Sequence, residues 1–331
     1  MSPTDVTAHA PDPWSTPERV ALRRLARDFV AREIAPNMAE WERDGELPRD
    51  LHRKAAGAGL LGVGFAEEVG GSGGNAIDSA VMTEEILHGG GSTGVCASLF
   101  THGIAVPHIA AHGSAELVDR YVRPTLAGEL IGSLAVTEPG GGSDVANLRT
   151  RAVREGDEYV VNGAKTFITS GVRADFVTTA VRTGGPGHGG VSLLVIDTNT
   201  PGFSVSRRLD KMGWRCSDTA ELAFTDVRVP AAQLVGTENS GFVQIMQQRP
   251  GSPGLRHRGP RPGPGPRVGA GPGDLRAAAL LSTGDPAQAR RDGASGRRRP
   301  HLHASCGAAL PGRGGRRHRG VDGEEHRRLR L

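Results

Sequence analysis

Leu134-Ala135-Val136-Thr137-Glu138-Pro139-Gly140-Gly141-Gly142-Ser143-Asp144 is the stretch on which the fold turns. It joins the end of an apolar strand to a Pro-Gly turn and a glycine-rich loop that closes with a hydroxyl and a carboxylate. Such a loop exposes backbone N–H groups and lets a planar polar ligand come close. The same residues also suit a capped turn, with Ser143 or Asp144 capping the segment that follows. The texture of the chain changes just ahead of this stretch, at Gly128.

Upstream the pattern is helical. Ser15-Thr16-Pro17-Glu18 reads as a helix start, with a capping hydroxyl, an early proline and an early acid. Leu22, Leu25, Phe29 and Val30 then recur at helical spacing until Pro36 interrupts them. Further helices are predicted around Arg49–Ala58, Ile77–Leu87, Gly103–Ala111 and Ala115–Leu126, separated by Gly and Pro clusters. Downstream, Ala152–Arg154, Tyr159–Val161, Thr166–Thr169, Phe176–Val181, Val191–Ile196 and Glu221–Phe224 are short β-rich runs. Glu155-Gly156-Asp157 and Asn162-Gly163 read as turns between them. The expected class is α+β: an N-terminal α-helical domain followed by a small antiparallel β-barrel or sandwich.

A second boundary lies near Gln248. Residues 1–248 hold every Phe, Tyr, Trp, Lys, Ile, Met and Asn of the chain, and residues 249–331 hold none. The formal charge of +4 is therefore an average. The first part has 22 Lys/Arg against 30 Asp/Glu, a net of −8; the second has 18 Arg against 6 Asp/Glu, a net of +12. The missing types, Trp apart, have A/T-rich codons, whereas the Arg, Gly, Pro and Ala that replace them have G/C-rich ones. A composition that follows codons and ignores core packing points to a shifted reading frame. The tail is expected to be disordered, apart from a short helix near Leu275–Leu281, because few apolar residues at high charge cannot offset the entropy of ordering.

Four ordered motifs in the first part resemble the acyl-CoA dehydrogenase family of flavoproteins. They are the 134–144 stretch; Asn162-Gly163-Ala164-Lys165-Thr166-Phe167-Ile168-Thr169-Ser170-Gly171; Lys211-Met212-Gly213-Trp214-Arg215 with Asp218-Thr219-Ala220-Glu221-Leu222; and Asp226-Val227-Arg228-Val229-Pro230 through Gly241-Phe242. The resemblance spans about residues 15–248. It implies an N-terminal helical domain over 15–127, a middle β-barrel domain over 128–236 and the start of a C-terminal helix over 237–248. The 1–14 segment is expected to be disordered, and the family's C-terminal helical bundle is expected to be missing from 249–331.

By the same resemblance the cofactor is FAD, held by Leu134, Val136, Thr137, Gly142, Ser143, Phe167, Ile168 and Thr169. Ser143 is also where the acyl-CoA substrate converges on the flavin. Phe167 stands where many members have Trp, and Leu134 where many have Tyr; both keep an apolar contact. The implied reaction is α,β-dehydrogenation of an acyl-CoA thioester, in fatty acid or branched-chain acid breakdown. A carboxylate takes the α-proton and the β-hydrogen leaves as hydride. That base is a Glu of the C-terminal domain; no residue here matches it, so no catalytic residue is assigned and impaired activity is expected. Electron-transfer flavoprotein is implied as acceptor, and the family's homotetramer is expected to be lost with the C-terminal domain.

The tail supports the frame reading. Asp274–Leu280 can be encoded so that one base later it reads Thr-Phe-Gly-Arg-Pro-Leu, and Val321–Leu331 so that it reads Ser-Met-Glu-Lys-Asn-Thr-Ala-Val-Tyr-Ala. Arg291–Arg298 similarly permits Glu-Met-Ala-Arg-Gln-Val-Asp. All three phrases are typical of the family's C-terminal domain. Arg297-Arg298-Arg299 could neutralise phosphates, but the tail has no aromatic residue for base stacking, so nucleic acid is not an expected partner. His301, His303 and Cys306 lack a second cluster, and no metal is expected. Cys96 and Cys216 read as buried small apolar residues. Met1–Pro13 lacks a signal-peptide pattern and no apolar run is long enough to span a membrane, so a cytoplasmic protein is expected. Two other readings stay open: an acyl-CoA oxidase or flavin-dependent monooxygenase of the same superfamily, and a non-enzymatic, basic-tailed binding protein.

Overall fold

The structure is a computed structural model that describes residues 12–247. The expectations for residues 1–11 and for the 249–331 tail, with its short helix and its His301, His303 and Cys306 group, lie outside the described residues.

Thr16 caps α1 (Pro17–Phe29) by accepting from Arg19 N, with Pro17 in the first turn. The helix then continues as a π turn (Val30–Ile34) and a 3-10 turn (Ala35–Asn37) into α2 (Met38–Asp44). A second π turn, Val118–Val122, joins α8 (Ala115–Leu117) to α9 (Arg123–Leu126). Each π turn ends two residues before a proline, Pro36 or Pro124. A proline ring collides with the carbonyl four residues back, and a locally widened turn moves that carbonyl aside. Pro36 thus deforms the helical path rather than ending it, and the predicted 115–126 helix is continuous but wound as α, then π, then α.

Between these lie α3 (Asp50–Gly57), α4 (Ala76–His88), α5 (Thr93–Leu99), α6 (His102–Ala105) and α7 (Pro107–His112). The helix predicted over 103–111 is split at Val106-Pro107, where proline supplies no N–H. Asn75 and Asp78 form a capping box on α4, and Arg19 Nε reaches Asp78 Oδ1 at 2.8 Å to dock α1 on that end. Phe29, Ile34, Leu51, Leu60, Ile86 and Leu99 are buried together as the helical core. Each contributes roughly 1.5–3 kcal/mol of burial.

The second domain is one curled sheet: β1 (Gly132–Ala135), β2 (Arg151–Glu155), β3 (Glu158–Thr169), β4 (Phe176–Arg182), β5 (Val191–Asp197), β6 (Phe203–Arg208) and β7 (Thr219–Pro230). β5 flanks β4 on one side; the path on the other side runs through β2 and β3 to β7 and β6. The ladders are antiparallel as expected, except that β1 lies parallel to β4 (Gly132 opposite Phe176) and β2 touches β4 in parallel at Arg151–Arg182. The sheet is therefore a mixed half-barrel. The reason is the connection: the glycine-rich loop and the whole β2–β3 hairpin intervene between β1 and β4, so the chain returns in the same direction.

Asn162-Gly163 is not a turn. β3 runs straight through it as a bulge, with Gly163 at φ +150° and its Cα so close to Thr150 that a Cβ would stand 2.7 Å from Thr150 Cα. β6 was not foreseen because Ser204, Ser206, Arg207 and Arg208 make it a polar edge strand with no buried alternation. β4 and β5 are buried on both faces. One face meets Val161, Leu222 and Phe224 inside the sheet, and the other meets Val106, Ile109 and Tyr121 of the helical domain. After β7, α10 (Gly241–Gln247) begins against β5, where a Cβ on Gly241 would meet Ser192 C at 2.6 Å. Among the described residues no single helix is long and apolar enough to cross a membrane.

Candidate functional site

The glycine-rich stretch leaves β1 and turns back on itself. Glu138 N donates to Gly141 O and Gly141 N donates to Glu138 O, both at 3.0 Å, with Pro139 and Gly140 at the tip. The three glycines are not demanded by the loop's own conformation: Gly140, Gly141 and Gly142 do not take positive φ. A Cβ built on Gly140 or Gly141 meets no atom within 4 Å, and one on Gly142 meets Thr137 Cγ2 at 3.4 Å. What the absent side chains leave is an open face of backbone, suited to close approach by an outside group. The capped-turn alternative is not formed in its usual way. Asp144 accepts from the Asn147 side chain at 2.5 Å, with no side-chain bond to a backbone N–H of the 3-10 turn Val145–Asn147.

β3 runs beside this loop and is tied to it. Thr166 N donates to Thr137 O (2.9 Å) and Ser133 Oγ to Thr169 O (2.6 Å). At this point β3 carries its second bulge: Thr166 and Phe167 together face Glu221 of β7, between the pairs Lys165–Leu222 and Ile168–Ala220. Phe167 sits at φ +59° and is 67% exposed. A bulky residue in the left-handed region is strained, and a large exposed ring forfeits burial. Both costs fall on one residue beside the open loop.

The predicted residues thus divide. Leu134, Val136, Thr137 and Thr169 are half-buried along the β1–β3 seam, and Gly142, Ser143 and Phe167 are exposed beside it. Ile168 has its side chain buried in the sheet core with Val161 and Leu222, so only its backbone lies along the seam.

Three features were not read from the sequence. Lys165 is fully buried, and its ammonium donates to Val136 O (3.0 Å) and Glu138 Oε1 (2.9 Å). Burial pulls its pKa down to about 8 against the attraction of Glu138. Burial would raise the Glu138 carboxyl, but Lys165 and the donors at Thr150 and Arg149 outweigh it and hold the group below its usual range. β3 also holds Glu158, Asn162, Thr166 and Thr169, so no apolar pattern singled the lysine out. Second, Arg173 joins the two domains: it donates to Leu47 O (2.9 Å) and Ser98 O, and its Nε lies 3.2 Å from Asp218 Oδ1, both side chains being buried.

Third, the loop after β6 folds onto α2 and α5. Glu42 accepts from Arg215 N (3.0 Å), Ser92 Oγ (3.0 Å) and Cys216 Sγ (3.1 Å). Cys216 is buried as expected but is a hydrogen-bond donor, its thiol pushed up to about 12 by burial and the Glu42 carboxylate. Cys96 is half-buried, its thiol raised to about 11 by burial. At the crown of this loop Met212 and Trp214 are exposed, with Trp214 Nε1 donating to Thr93 Oγ1 at 2.7 Å.

Comparison with known proteins agrees with this architecture. Residues 16–129 match the family described as Acyl-CoA dehydrogenase, N-terminal domain, and residues 133–227 match Acyl-CoA dehydrogenase, middle domain. The mitochondrial long-chain specific acyl-CoA dehydrogenase of Mus musculus is 41% identical over 237 residues, which are 70% of this chain and 54% of that protein. The chain thus spans about half the length of the curated relatives it matches. A crystal structure of a "probable acyl CoA dehydrogenase" from Mycobacterium abscessus is 81% identical with a TM-score of 0.70, over 71% of this chain and 62% of that one. A glutaryl-CoA dehydrogenase from Mycobacterium smegmatis in complex with FADH2 is 28% identical with a TM-score of 0.64, over 70% and 58% of the two chains. With its helical and half-barrel domains each matched in order, this chain belongs to the acyl-CoA dehydrogenase family.

Proposed function

We propose that residues 15–248 form the FAD- and thioester-binding portion of an acyl-CoA dehydrogenase, and that the chain as it stands lacks the base that completes the reaction. The observation that carries the flavin reading is the open glycine face beside the exposed Phe167 ring. Neither the glycines nor the strained aromatic is explained by the packing of the domain itself. A planar aromatic ligand lying on Phe167, with its polar edge toward the β1–β3 seam, accounts for both. The solved relative that holds FADH2 supports the choice of ligand.

FAD would supply the two-electron oxidant for α,β-dehydrogenation of an acyl thioester. In this chain Phe167 would offer the apolar wall, Leu134, Val136, Thr137 and Thr169 the flanking seam, and Gly142 and Ser143 the loop side near both ligands. Ser143, exposed at the end of the glycine run, would also meet the thioester portion of the substrate. The acyl group's length is left open, since long-chain and branched-chain enzymes both appear among the relatives. Electron-transfer flavoprotein is the proposed acceptor and the cytoplasm the proposed location. The base is assigned to no residue: residues 249–331 show no counterpart to the family's glutamate, and we attribute them to a shifted reading frame.

Two measurements test the reading. Titration of the full chain with FAD should quench flavin fluorescence, and absence of binding at high micromolar FAD overturns the flavin assignment. Anaerobic addition of acyl-CoA to the loaded protein should leave the flavin oxidised; bleaching within minutes overturns the impairment. The nucleotide sequence across codons 240–331 tests the frame directly, since stop codons in the alternative frame defeat it.

A further inference from the structure

The loop that carries Gly142 and Ser143 is closed at its neck by a carboxylate, while Arg182 of β4 holds its Ala146 and Leu148 carbonyls. Glu138, where the loop leaves β1, accepts Arg149 N at 2.6 Å and Thr150 N at 2.8 Å, where the chain rejoins the sheet at β2. The loop from Pro139 to Leu148 is thereby closed at its neck. The carboxylate is itself fixed from below by Lys165 of β3, whose ammonium also holds Val136 O, the last carbonyl before Thr137. Lys165 is fully buried and Glu138 nearly so, so the pair sits where water does not compete. Thr150 Oγ1 adds a bond to Ala164 O at 3.2 Å, fastening the same neck to β3. Gly163, whose bulge lets β3 approach Thr150 within van der Waals distance, belongs to the same construction.

We propose that Glu138 and Lys165 form a clasp that closes the 139–148 loop and positions Gly142 and Ser143 against Phe167, so that both are positioning residues for the flavin. The inference rests on the flavin reading for its functional half, while the closure itself concerns this chain alone. Neither residue faces the open side of the loop: both are buried, and the backbone they hold is what an incoming ligand meets. A charge-assisted acceptor for two backbone N–H groups at one neck is a stronger constraint than two neutral turn bonds. It also carries a pH signature. Closure holds Glu138 below its usual range, whereas an opened loop returns it to that range, so acid favours opening. The charged groups around it are few. Lys165 of β3 faces the carboxylate; Arg149 and Arg151 are exposed; Arg182 of β4 spends its donors on Leu148 O and Ala146 O.

The test is site-resolved amide hydrogen exchange on the full chain, corrected for intrinsic rate, with the β3–β7 ladder amides as internal reference. In the natural sequence, protection of the Arg149 and Thr150 amides should fall relative to the ladder amides as pH drops below the usual carboxylate range. Glu138→Gln keeps the shape but offers one acceptor oxygen to two donors. It should lower protection at Arg149 or Thr150 by about tenfold or more and abolish the pH step. Should that variant fail to fold, Glu138→Gln with Lys165→Met removes both buried charges and keeps the loop testable. Unchanged protection of these two amides in a folded variant, or a pH step shared equally by the ladder, overturns the clasp. FAD titration of the same variants tests the functional half. A loosened loop with unaltered FAD affinity removes the positioning role, whereas a natural chain that shows the pH step and binds no FAD defeats the flavin reading and leaves the closure standing.

Discussion

Phe167 stores two costs in one residue, a left-handed backbone and a ring left in solvent. Replacing it with glycine removes the backbone penalty, about 1–2 kcal/mol for a non-glycine residue, and loses little packing because the ring is mostly exposed. Phe167→Gly is therefore expected to raise the denaturation midpoint, and Phe167→Ala to change it little. Both should weaken FAD binding by roughly threefold to tenfold, the worth of one aromatic stacking contact. Calorimetry paired with FAD titration separates these effects, and a variant that loses stability and keeps affinity contradicts the assignment. His52 and His102 carry a different stored cost. Burial, with Arg173 adjacent to His52, holds their pKa values down to about 3 and about 4. An unfolded histidine protonates below about 6.5, so between that point and about 4 the unfolded chain binds protons that the folded chain refuses. Stability is then lost as pH falls, at about 1.4 kcal/mol per pH unit for each histidine. Urea midpoints measured from pH 7 to pH 5 should show this slope, and His52→Gln should roughly halve it; an unchanged slope counts against His52.

Where elements meet, the decisive interactions are those that compositional periodicity does not mark. Arg173, in the turn between β3 and β4, spans Leu47, Ser98 and Asp218 and so holds the helical domain on the half-barrel. Breaking a buried ion pair on one side costs about 3–5 kcal/mol, because the remaining charge stays buried. Arg173→Ala should approach that loss, and the double change Arg173→Met with Asp218→Asn should recover part of it in denaturant titrations. Equal losses in the two variants would mean that packing, and not charge, is what Arg173 supplies. α1, α3, α4, the 102–112 and 115–126 helical stretches, the flanks of β3, and β4, β5 and β7 could be read from caps, apolar spacing and β-branched runs, whereas α2 and the short α5 could not. The two π turns could not be read, since Pro36 looks like a terminus when only local propensity is considered and nothing before Pro124 marks a widened turn. Asn162-Gly163 misled for a related reason: the glycine is needed at φ +150° against Thr150, which is a tertiary requirement, and it imitates a turn signal. The loop and Phe167 were legible through motif order, while the Glu138–Lys165 pair beneath them was not, because a buried ion pair leaves no periodic trace.

For the whole molecule, charge and chemistry divide at the same place. The first 248 residues carry a net of −8 and the rest a net of +12. At pH 7 the full chain is expected to bind a cation exchanger through its arginines, with retention falling as salt rises. A chain ending at Gln248 should lose that binding and move to an anion exchanger, with an unchanged denaturation midpoint. If the midpoint falls instead, residues beyond 248 contribute to the fold and the frame reading loses its basis. The exposed Met212 and Trp214 at the crown of the 209–218 loop add an apolar surface that favours self-association, so concentration-dependent sedimentation is expected in both forms. The catalytic consequence is separable from all of this. Proton abstraction by a placed base contributes about 10²–10⁴-fold, and a flavin site without that base binds but does not turn over. On the proposed reading, restoring the alternative frame after codon 248 should add acyl-CoA-dependent flavin bleaching and leave the proposed FAD contacts of residues 134–169 unchanged. If the restored chain binds FAD and acyl-CoA yet bleaches no faster than the chain described above, the missing element is not the base, and the loss must lie within the half-barrel itself.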